Sequence, residues 1–292
     1  LPMRMYTMID SDAKLADLQS QWKEKGISIV AMDFEGEFNL HIYGEHLCLI
    51  QIFDQTTFYL IDPFEISIPE LKRFLEDETL EKIMFDCASD AALVRKNHEI
   101  TLKKIYDLRI AAKQLGMDGG LSKVLDHYLP DRMRRTSGSK KKHQQTNWLM
   151  RPLSREQIQY ALEDVEHLFS LKALIIADLE RRGLKEKTQA LMESAGLPKG
   201  PDRPAWTKYP AYRYLSKEER ILLKHYYLAR EHVAKRRNVP AVRIMNKKLV
   251  LKMAKEKPQS REEFESYTQR NDLLTALSEA HVKAMKEIAS LA

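Results

Sequence analysis

The sequence lacks several features that would assign it to a specialised class of protein. Its 292 residues include only two cysteines, Cys48 and Cys87, in dissimilar surroundings. This argues against a disulfide framework and against a zinc site, which needs several Cys or His ligands at close spacing. No apolar run approaches the roughly 20 residues that span a bilayer, and the first residues lack the pattern of a secretory signal. We therefore expect no membrane association and a cytoplasmic location.

Glycine and proline are also few, with 10 and 11 residues, and their clustering indicates the domain organisation. Six of them fall between Gly196 and Pro210, which makes this stretch the clearest linker. Before it, apolar strand-like runs alternate with helical segments, a pattern typical of an α/β layer architecture. After it, the pattern is entirely helical. We predict one domain over residues 1–195, a linker over 196–212 and a helical domain over 213–292.

Positive charge is concentrated in the last part of the chain. The net charge is +6. Residues 215–292 contain 17 Lys and Arg against 10 Asp and Glu, an excess of seven, so the preceding residues are close to neutral. This distribution favours a C-terminal part that holds a polyanion. A solvated basic surface explains the same excess equally well.

Two carboxylates end the apolar strand predicted over Ile27–Phe34. Side chains two apart on a strand point to the same face, so Asp33 and Glu35 project together. Like charges at such a place repel, and a divalent cation with a preference for hard oxygen ligands removes the difficulty. For an isolated D-x-E pattern the alternative is that the chain has left the sheet and that Glu35 and Glu37 are solvated.

Later helices extend this acidic pattern. Asp90 opens a predicted helix, where the helix dipole alone would also favour it. Tyr160 and Asp164 are four apart and share one face of a long helix predicted to run from Pro152 to about Arg182. Each signal is weak alone, but four carboxylates and a tyrosine in this order suit a two-metal phosphoryl-transfer site.

The segments that carry these residues resemble the DEDD exonuclease superfamily, and more closely the ribonuclease D family. The matching segments are Ala31–Glu35 (AMDFE), Phe85–Asp90 (FDCASD) and Gln157–Val165 (QIQYALEDV), together with Asn147–Leu153 (NWLMRPL). The last of these is similar to the family's W-L-x-R-P-L segment and is the most specific match. The tyrosine type of the superfamily (DEDDy) is implied, because the histidine type would place His where Gln159 stands. The similarity covers roughly residues 15–180.

The C-terminal part resembles the helicase-and-ribonuclease-D C-terminal (HRDC) domain. The residues that carry this second resemblance are Leu222–Glu231, Ala234 and Asn238–Ala241. The chain departs from the family at Phe34 and Phe85, where Thr and His are frequent. Neither position is a metal ligand, so these departures concern the fit of the substrate.

The resemblance implies a fold, a reaction and a metal site. The implied fold is a ribonuclease-H-like exonuclease domain, with a mixed sheet flanked by helices, followed by a small all-helical HRDC-like domain. The implied reaction is 3′-5′ hydrolysis of RNA to nucleoside 5′-monophosphates, as in the maturation of tRNA or other structured RNA. Two Mg²⁺ or Mn²⁺ ions are implied, and Tyr160 is expected to position the attacking water. The implied metal ligands are Asp33, Glu35, Asp90 and Asp164.

The implied partner is RNA with a single-stranded 3′ end, a class that includes tRNA precursors. The sequence gives no sign of an obligate protein partner. Two basic groups are predicted to contact phosphates. The first group lies in a polar loop and consists of Arg132, Arg134, Arg135, Lys140, Lys141 and Lys142. The second group contains Arg236 and Arg237, with Arg243, Lys247 and Lys248 nearby. A solvated loop explains the first group equally well.

Other functions stay open at this point. One alternative is a DNA-directed 3′-5′ exonuclease in repair, since both nucleic acids carry the same phosphates. Another is a non-catalytic nucleic-acid-binding adaptor, although the intact set of four carboxylates and Tyr160 argues against a decayed site. An unrelated basic helical scaffold would leave the ordered acidic pattern unexplained.

Overall fold

The computed structural model describes residues 4–131 and 146–291. The chain forms two compact units. Unit 1 consists of Leu1–Glu37 and Glu45–Lys199, and unit 2 consists of Phe38–Gly44 and Gly200–Ala292. The sequence analysis did not anticipate that Phe38–Gly44 would belong with the C-terminal residues. The predicted domain bounds themselves stay a prediction.

Unit 1 is built on a six-stranded sheet with the strand order β1-β4-β3-β2-β5-β6. The pairs β1/β4, β2/β5 and β5/β6 are parallel, whereas β3/β4 is antiparallel. The mixed sheet predicted from the sequence is therefore confirmed. The strands are β1 (Tyr6–Ile9), β2 (Ile29–Phe38), β3 (Glu45–Phe53), β4 (Phe58–Ile61), β5 (Glu81–Met84) and β6 (Ile105–Asp107).

Helices cover both faces of this sheet. They are α1 (Asp12–Glu24), α2 (Ile68–Leu75), α3 (Ala88–His98), α4 (Leu108–Gln114), α5 (Leu121–Tyr128), α6 (Arg155–Glu166), α7 (Leu168–Arg181) and α8 (Lys185–Met192). Apolar side chains of α1, α2 and α3 pack on one face, and those of α4, α5, α6 and α7 pack on the other.

Alternation along β2 decides which side chains face which helices. Val30, Met32 and Phe34 are buried in the cluster that contains α1, α2 and α3. Ala31 is buried in the cluster that contains α4 and α7. Since successive side chains on a strand point to opposite faces, Asp33 and Glu35 lie on the face of Ala31.

The long helix predicted from Pro152 to about Arg182 is interrupted, and in this respect the prediction is wrong. His167 separates α6 from α7, with backbone angles of φ −102° and ψ 0°. The two parts pack on different elements, since α6 contacts β3 whereas α7 contacts α4 and β5. One straight helix would not follow both surfaces, so the chain changes direction at a single residue.

The W-L-x-R-P-L segment before α6 is fixed by Arg151. Its guanidinium donates to both carboxylate oxygens of Asp62, at 2.6 and 3.0 Å. It also donates to the backbone carbonyls of Cys48 and Trp148, at 2.7 and 2.9 Å. This set of bonds ties the segment before α6 to β3 and to the residue that follows β4.

Unit 2 is helical in its C-terminal part. Its helices are α9 (Lys217–Arg237), α10 (Ala241–Ile244), α11 (Lys247–Glu256), α12 (Arg261–Phe264) and α13 (Asn271–Ala289). Ser216 and Glu219 form the capping box that starts α9, as their spacing predicts. The core contains Leu223, Tyr226 and Val233 of α9. Throughout the described ranges, every helix is too short or too polar to cross a membrane.

Candidate metal centre

Three carboxylates converge beside β2. Asp33 and Glu35 project from the strand and Asp164 projects from α6, and one carboxylate oxygen of each lies within 4.8 Å of the others. All three residues are half-buried. Because β2 continues to Phe38, Glu35 is still part of the sheet, and the alternative in which the chain has left it is wrong.

Tyr160 lies one turn before Asp164 on α6. The residue is 6% exposed, and its ring packs near that of Trp148, with the ring centroids 6.2 Å apart. Since residues four apart share a helix face, the phenol and the Asp164 carboxylate lie on the same side of α6.

A cavity of about 200 Å³ joins these side chains. One part of its wall is polar and consists of Asp33, Glu35, Tyr160 and Asp164. The other part is apolar and contains Phe85, Leu121 and Leu168. The cavity thus has one surface suited to a cation and a phosphate, and another suited to the flat face of a base or sugar.

The structure does not bring Asp90 into the group of three carboxylates. Asp90 lies in the first turn of α3, and its neighbouring charges are Asp86 and Asp107. Burial, followed by repulsion from these two carboxylates, raises the pKa of Asp90 above its usual range. Asp90 therefore remains a predicted metal ligand that lies outside the observed group.

Asp107 organises the turn that precedes α3. The residue is 3% exposed. Its carboxylate accepts hydrogen bonds from the backbone N–H groups of Asp86 (2.9 Å), Cys87 (3.0 Å) and Arg109 (2.8 Å). Asp86 has a φ of +63°, in the left-handed region. The carboxylate thus holds an unusual backbone turn just before the helix that carries Asp90.

The donor set in the group of three fits a divalent cation. All three ligand atoms are carboxylate oxygens, which suit hard ions such as Mg²⁺ and Mn²⁺. Like charges this close repel one another, and a cation between them offsets the repulsion. Among the described residues, these three alone form such a group.

The predicted nucleic-acid contacts divide into two sets. The first set, Arg132, Arg134, Arg135, Lys140, Lys141 and Lys142, lies outside the described residues. The second set lies at the end of α9. Arg236 and Arg237 are exposed there and pair with Asp272, at 3.4 and 2.6 Å. Their role in binding RNA stays a prediction.

The sequence analysis missed one residue that touches the site. Gln51 of β3 donates from its side-chain amide to Glu35 Oε1 at 3.3 Å. The signal was available, because Gln51 is a single polar residue in the apolar run Leu47–Phe53. Asp107 was not singled out, because two of the backbone groups that it holds, those of Asp86 and Cys87, are about 20 residues away in the sequence.

Two family models match the chain. Residues 6–180, more than half of the chain, match the 3′-5′ exonuclease model. Residues 220–273 match the HRDC domain model.

Relatives and solved structures give a consistent picture. Ribonuclease D of Zymomonas mobilis subsp. mobilis is 26% identical over 253 residues, covering 83% of this chain and 62% of that protein. The crystal structure of Escherichia coli RNase D, an exoribonuclease involved in structured RNA processing, is similar with a TM-score of 0.76 at 23% identity, covering 96% of this chain and 75% of that one. The catalytic core of RRP6 from Trypanosoma brucei has a TM-score of 0.75 at 18% identity, covering 97% and 80%.

These likenesses confirm the predicted fold class, a mixed α/β exonuclease fold followed by an HRDC-like helical region. The chain spans only 62% of the length of the first curated relatives that it matches.

Proposed function

Because this chain belongs to the 3′-5′ exonuclease family, we propose that it hydrolyses RNA from the 3′ end and releases nucleoside 5′-monophosphates. The observation that carries this proposal is the convergence of Asp33, Glu35 and Asp164 with Tyr160 around one cavity. The ribonuclease D relatives support RNA as the substrate. Maturation of tRNA or other structured RNA is the proposed setting.

Asp33, Glu35 and Asp164 would hold Mg²⁺ or Mn²⁺, with Asp90 as a fourth ligand. The bound ions would supply activation of water and stabilisation of the charge that develops on the phosphodiester. The carboxylates would bind and orient the ions, and they must be ionised to do so. Their positions on a strand and a packed helix keep the ligand oxygens close together before a substrate arrives.

The other walls of the cavity orient the substrate. Tyr160 lines the cavity together with Asp164, and its hydroxyl would hydrogen-bond the attacking water and align it. Phe85, Leu121 and Leu168 offer an apolar surface to the terminal nucleotide. A cavity of about 200 Å³ is too small for a duplex, which supports entry of the 3′ end as a single strand.

We infer that unit 1 and the C-terminal residues have different roles, catalysis and RNA binding. Unit 1 contains the carboxylate group, whereas residues 215–292 carry the excess of seven positive charges. Counter-ion release on contact with phosphates would let this basic part hold the body of the RNA. The proposed domains are those predicted from the sequence, with residues 213–292 as the RNA-holding domain.

The test is digestion of a 5′-labelled RNA with a 3′ overhang and of its DNA counterpart, in Mg²⁺ or Mn²⁺. Wild type is compared with Asp33→Asn and with Asp17→Asn, a matched control at an exposed position of α1. We expect wild type and Asp17→Asn to give a ladder that shortens from the 3′ end, faster on RNA, and Asp33→Asn to give none over the same time.

The other outcomes identify the alternatives. A faster ladder on DNA would make the protein a DNA-directed exonuclease. Binding without cleavage in either metal would make it an adaptor. A ladder of equal rate from Asp33→Asn would place the chemistry away from the carboxylate group.

A further inference from the structure

Gln51 occupies an unusual place in the core of unit 1. It lies on β3 between Ile50 and Ile52, and all three residues are fully buried. Its Oε1 atom is buried and has no hydrogen-bond partner among the residues that the structure describes. A buried amide oxygen in this state costs about 1–3 kcal/mol, so an aliphatic side chain would suit the stability of the strand better. Stability alone therefore does not account for an amide at this position.

The other end of the same amide contacts the metal centre. Gln51 Nε2 donates to Glu35 Oε1 at 3.3 Å. The orientation of the amide is set by its partner, because the opposite orientation would direct Oε1 at a carboxylate oxygen. The contact also runs between the adjacent strands β2 and β3, so both side chains are held by regular backbone structure.

Glu35 needs such a contact more than its neighbours do. The terminal torsion of a glutamate is broad, so the backbone alone does not fix the plane of its carboxylate. Asp33 has one torsion fewer between the backbone and its oxygens. A donor fixed in the sheet limits the rotation of the Glu35 carboxylate and leaves its other oxygen directed away from the amide.

We infer that Gln51 is a positioning residue, which orients Glu35 for a divalent cation and thereby sets the affinity of the centre for that cation. This inference rests on the proposed function. Partners that orient a metal ligand typically change metal affinity by about 10–100-fold when they are removed.

The test is direct titration of the full chain with Mn²⁺ in the absence of RNA, with free Mn²⁺ followed by electron paramagnetic resonance. Gln51→Met keeps the length and volume of the side chain but has no donor. Gln51→Asn keeps the amide but is one methylene too short to reach Glu35, and it serves if the methionine variant does not fold. We expect either variant to bind Mn²⁺ about 10–100-fold more weakly than wild type.

Trp22→Phe is the control for stability. It removes the bond from Trp22 Nε1 to Asp54 Oδ2, 3.1 Å long, on the opposite face of the sheet. We expect it to unfold at a lower urea concentration than wild type and to bind Mn²⁺ as wild type does. If the Gln51 variants lose Mn²⁺ affinity and Trp22→Phe does not, the loss is assigned to the metal centre and not to a weaker fold.

The failure of this inference and the failure of the proposed function give different results. If wild type binds Mn²⁺, Asp33→Asn does not, and both Gln51 variants bind as wild type does, Gln51 has no positioning role. A Trp22→Phe variant as weak as Gln51→Met would also overturn the inference, since the loss would then follow stability. If wild type and Asp33→Asn bind Mn²⁺ equally weakly, the metal centre itself is wrong.

Discussion

Asp107→Asn should destabilise unit 1 because it removes one identifiable hydrogen bond. Asparagine has nearly the same shape as aspartate and can retain one oxygen at the position of Oδ1. That oxygen accepts from the N–H groups of Asp86 and Arg109, so these two bonds are kept. The new amide nitrogen replaces Oδ2, which accepts from the Cys87 N–H at 3.0 Å. Two donors then face each other in a buried place.

The size of the effect follows from this exchange. Loss of a hydrogen bond to a charged acceptor, with a buried N–H left unsatisfied, costs about 2 kcal/mol. Removal of the Asp107 charge gives back part of this cost, because that charge repels Asp90. For a unit of this size, a net loss of about 1–2 kcal/mol lowers the melting temperature by roughly 2–8 °C.

The assay is thermal unfolding of the full chain in a Trp206→Phe background, followed by tryptophan fluorescence. The two remaining tryptophans, Trp22 and Trp148, are both buried in unit 1, so the signal reports that unit. Asp86→Asn is the matched control. It removes an exposed ion pair with Arg109, worth about 0–1 kcal/mol, and asparagine tolerates the left-handed backbone.

Equal melting temperatures for Asp107→Asn and Asp86→Asn would refute the role given to the buried carboxylate. A drop confined to Asp107→Asn supports it.

Three further predictions concern other parts of the chain. Burial lowers the pKa of Lys82 to about 8, so between pH 7 and 9.5 the unfolded chain keeps a proton that the folded chain loses. In urea unfolding, the difference in unfolding free energy between wild type and Lys82→Met should therefore rise in favour of wild type by about 2 kcal/mol between pH 7 and 9.5. A difference that does not change with pH would contradict this. Arg151→Lys should lower the free energy of unfolding by about 2 kcal/mol in the same assay, because lysine cannot replace the paired bonds to Asp62. An unchanged urea midpoint would argue against the role given to Arg151. If Arg236 and Arg237 contact RNA phosphates, replacing both with Gln should reduce the slope of log affinity against log salt by about 1.4, measured by fluorescence anisotropy. The double change of Lys283 and Lys286 to Gln serves as the charge-matched control, and equal slopes for the two double variants would remove the assigned role.

The metal centre shows why part of the site was predictable from sequence. The period of a strand places Asp33 and Glu35 on one face, and the period of a helix does the same for Tyr160 and Asp164. These are local rules, and the meeting of the two pairs follows once α6 packs on the face of the sheet to which β2 directs Asp33. The position of Asp90 depends on a turn that Asp107 holds from a distant segment, and no local pattern encodes it.

The same distinction explains the parts of the fold that the sequence analysis missed. No glycine or proline near His167 predicts the break in the helix. The break arises because α6 and α7 pack on different elements. The segment Phe38–Gly44 belongs to unit 2 through contacts such as that of the Tyr43 hydroxyl with Glu231, 3.0 Å long. Both are long-range effects, which neither periodicity nor composition records.

The most direct measurement follows the first product from an RNA that carries its label in the 3′-terminal nucleotide. Wild type, Asp164→Asn and the control Asp17→Asn are compared in Mn²⁺ by thin-layer chromatography against a 5′-monophosphate standard. We predict that wild type and Asp17→Asn release the labelled nucleoside 5′-monophosphate as the first product, and that Asp164→Asn does not. A labelled oligonucleotide as the first product, or equal release by Asp164→Asn, would contradict 3′-5′ hydrolysis at this group of carboxylates.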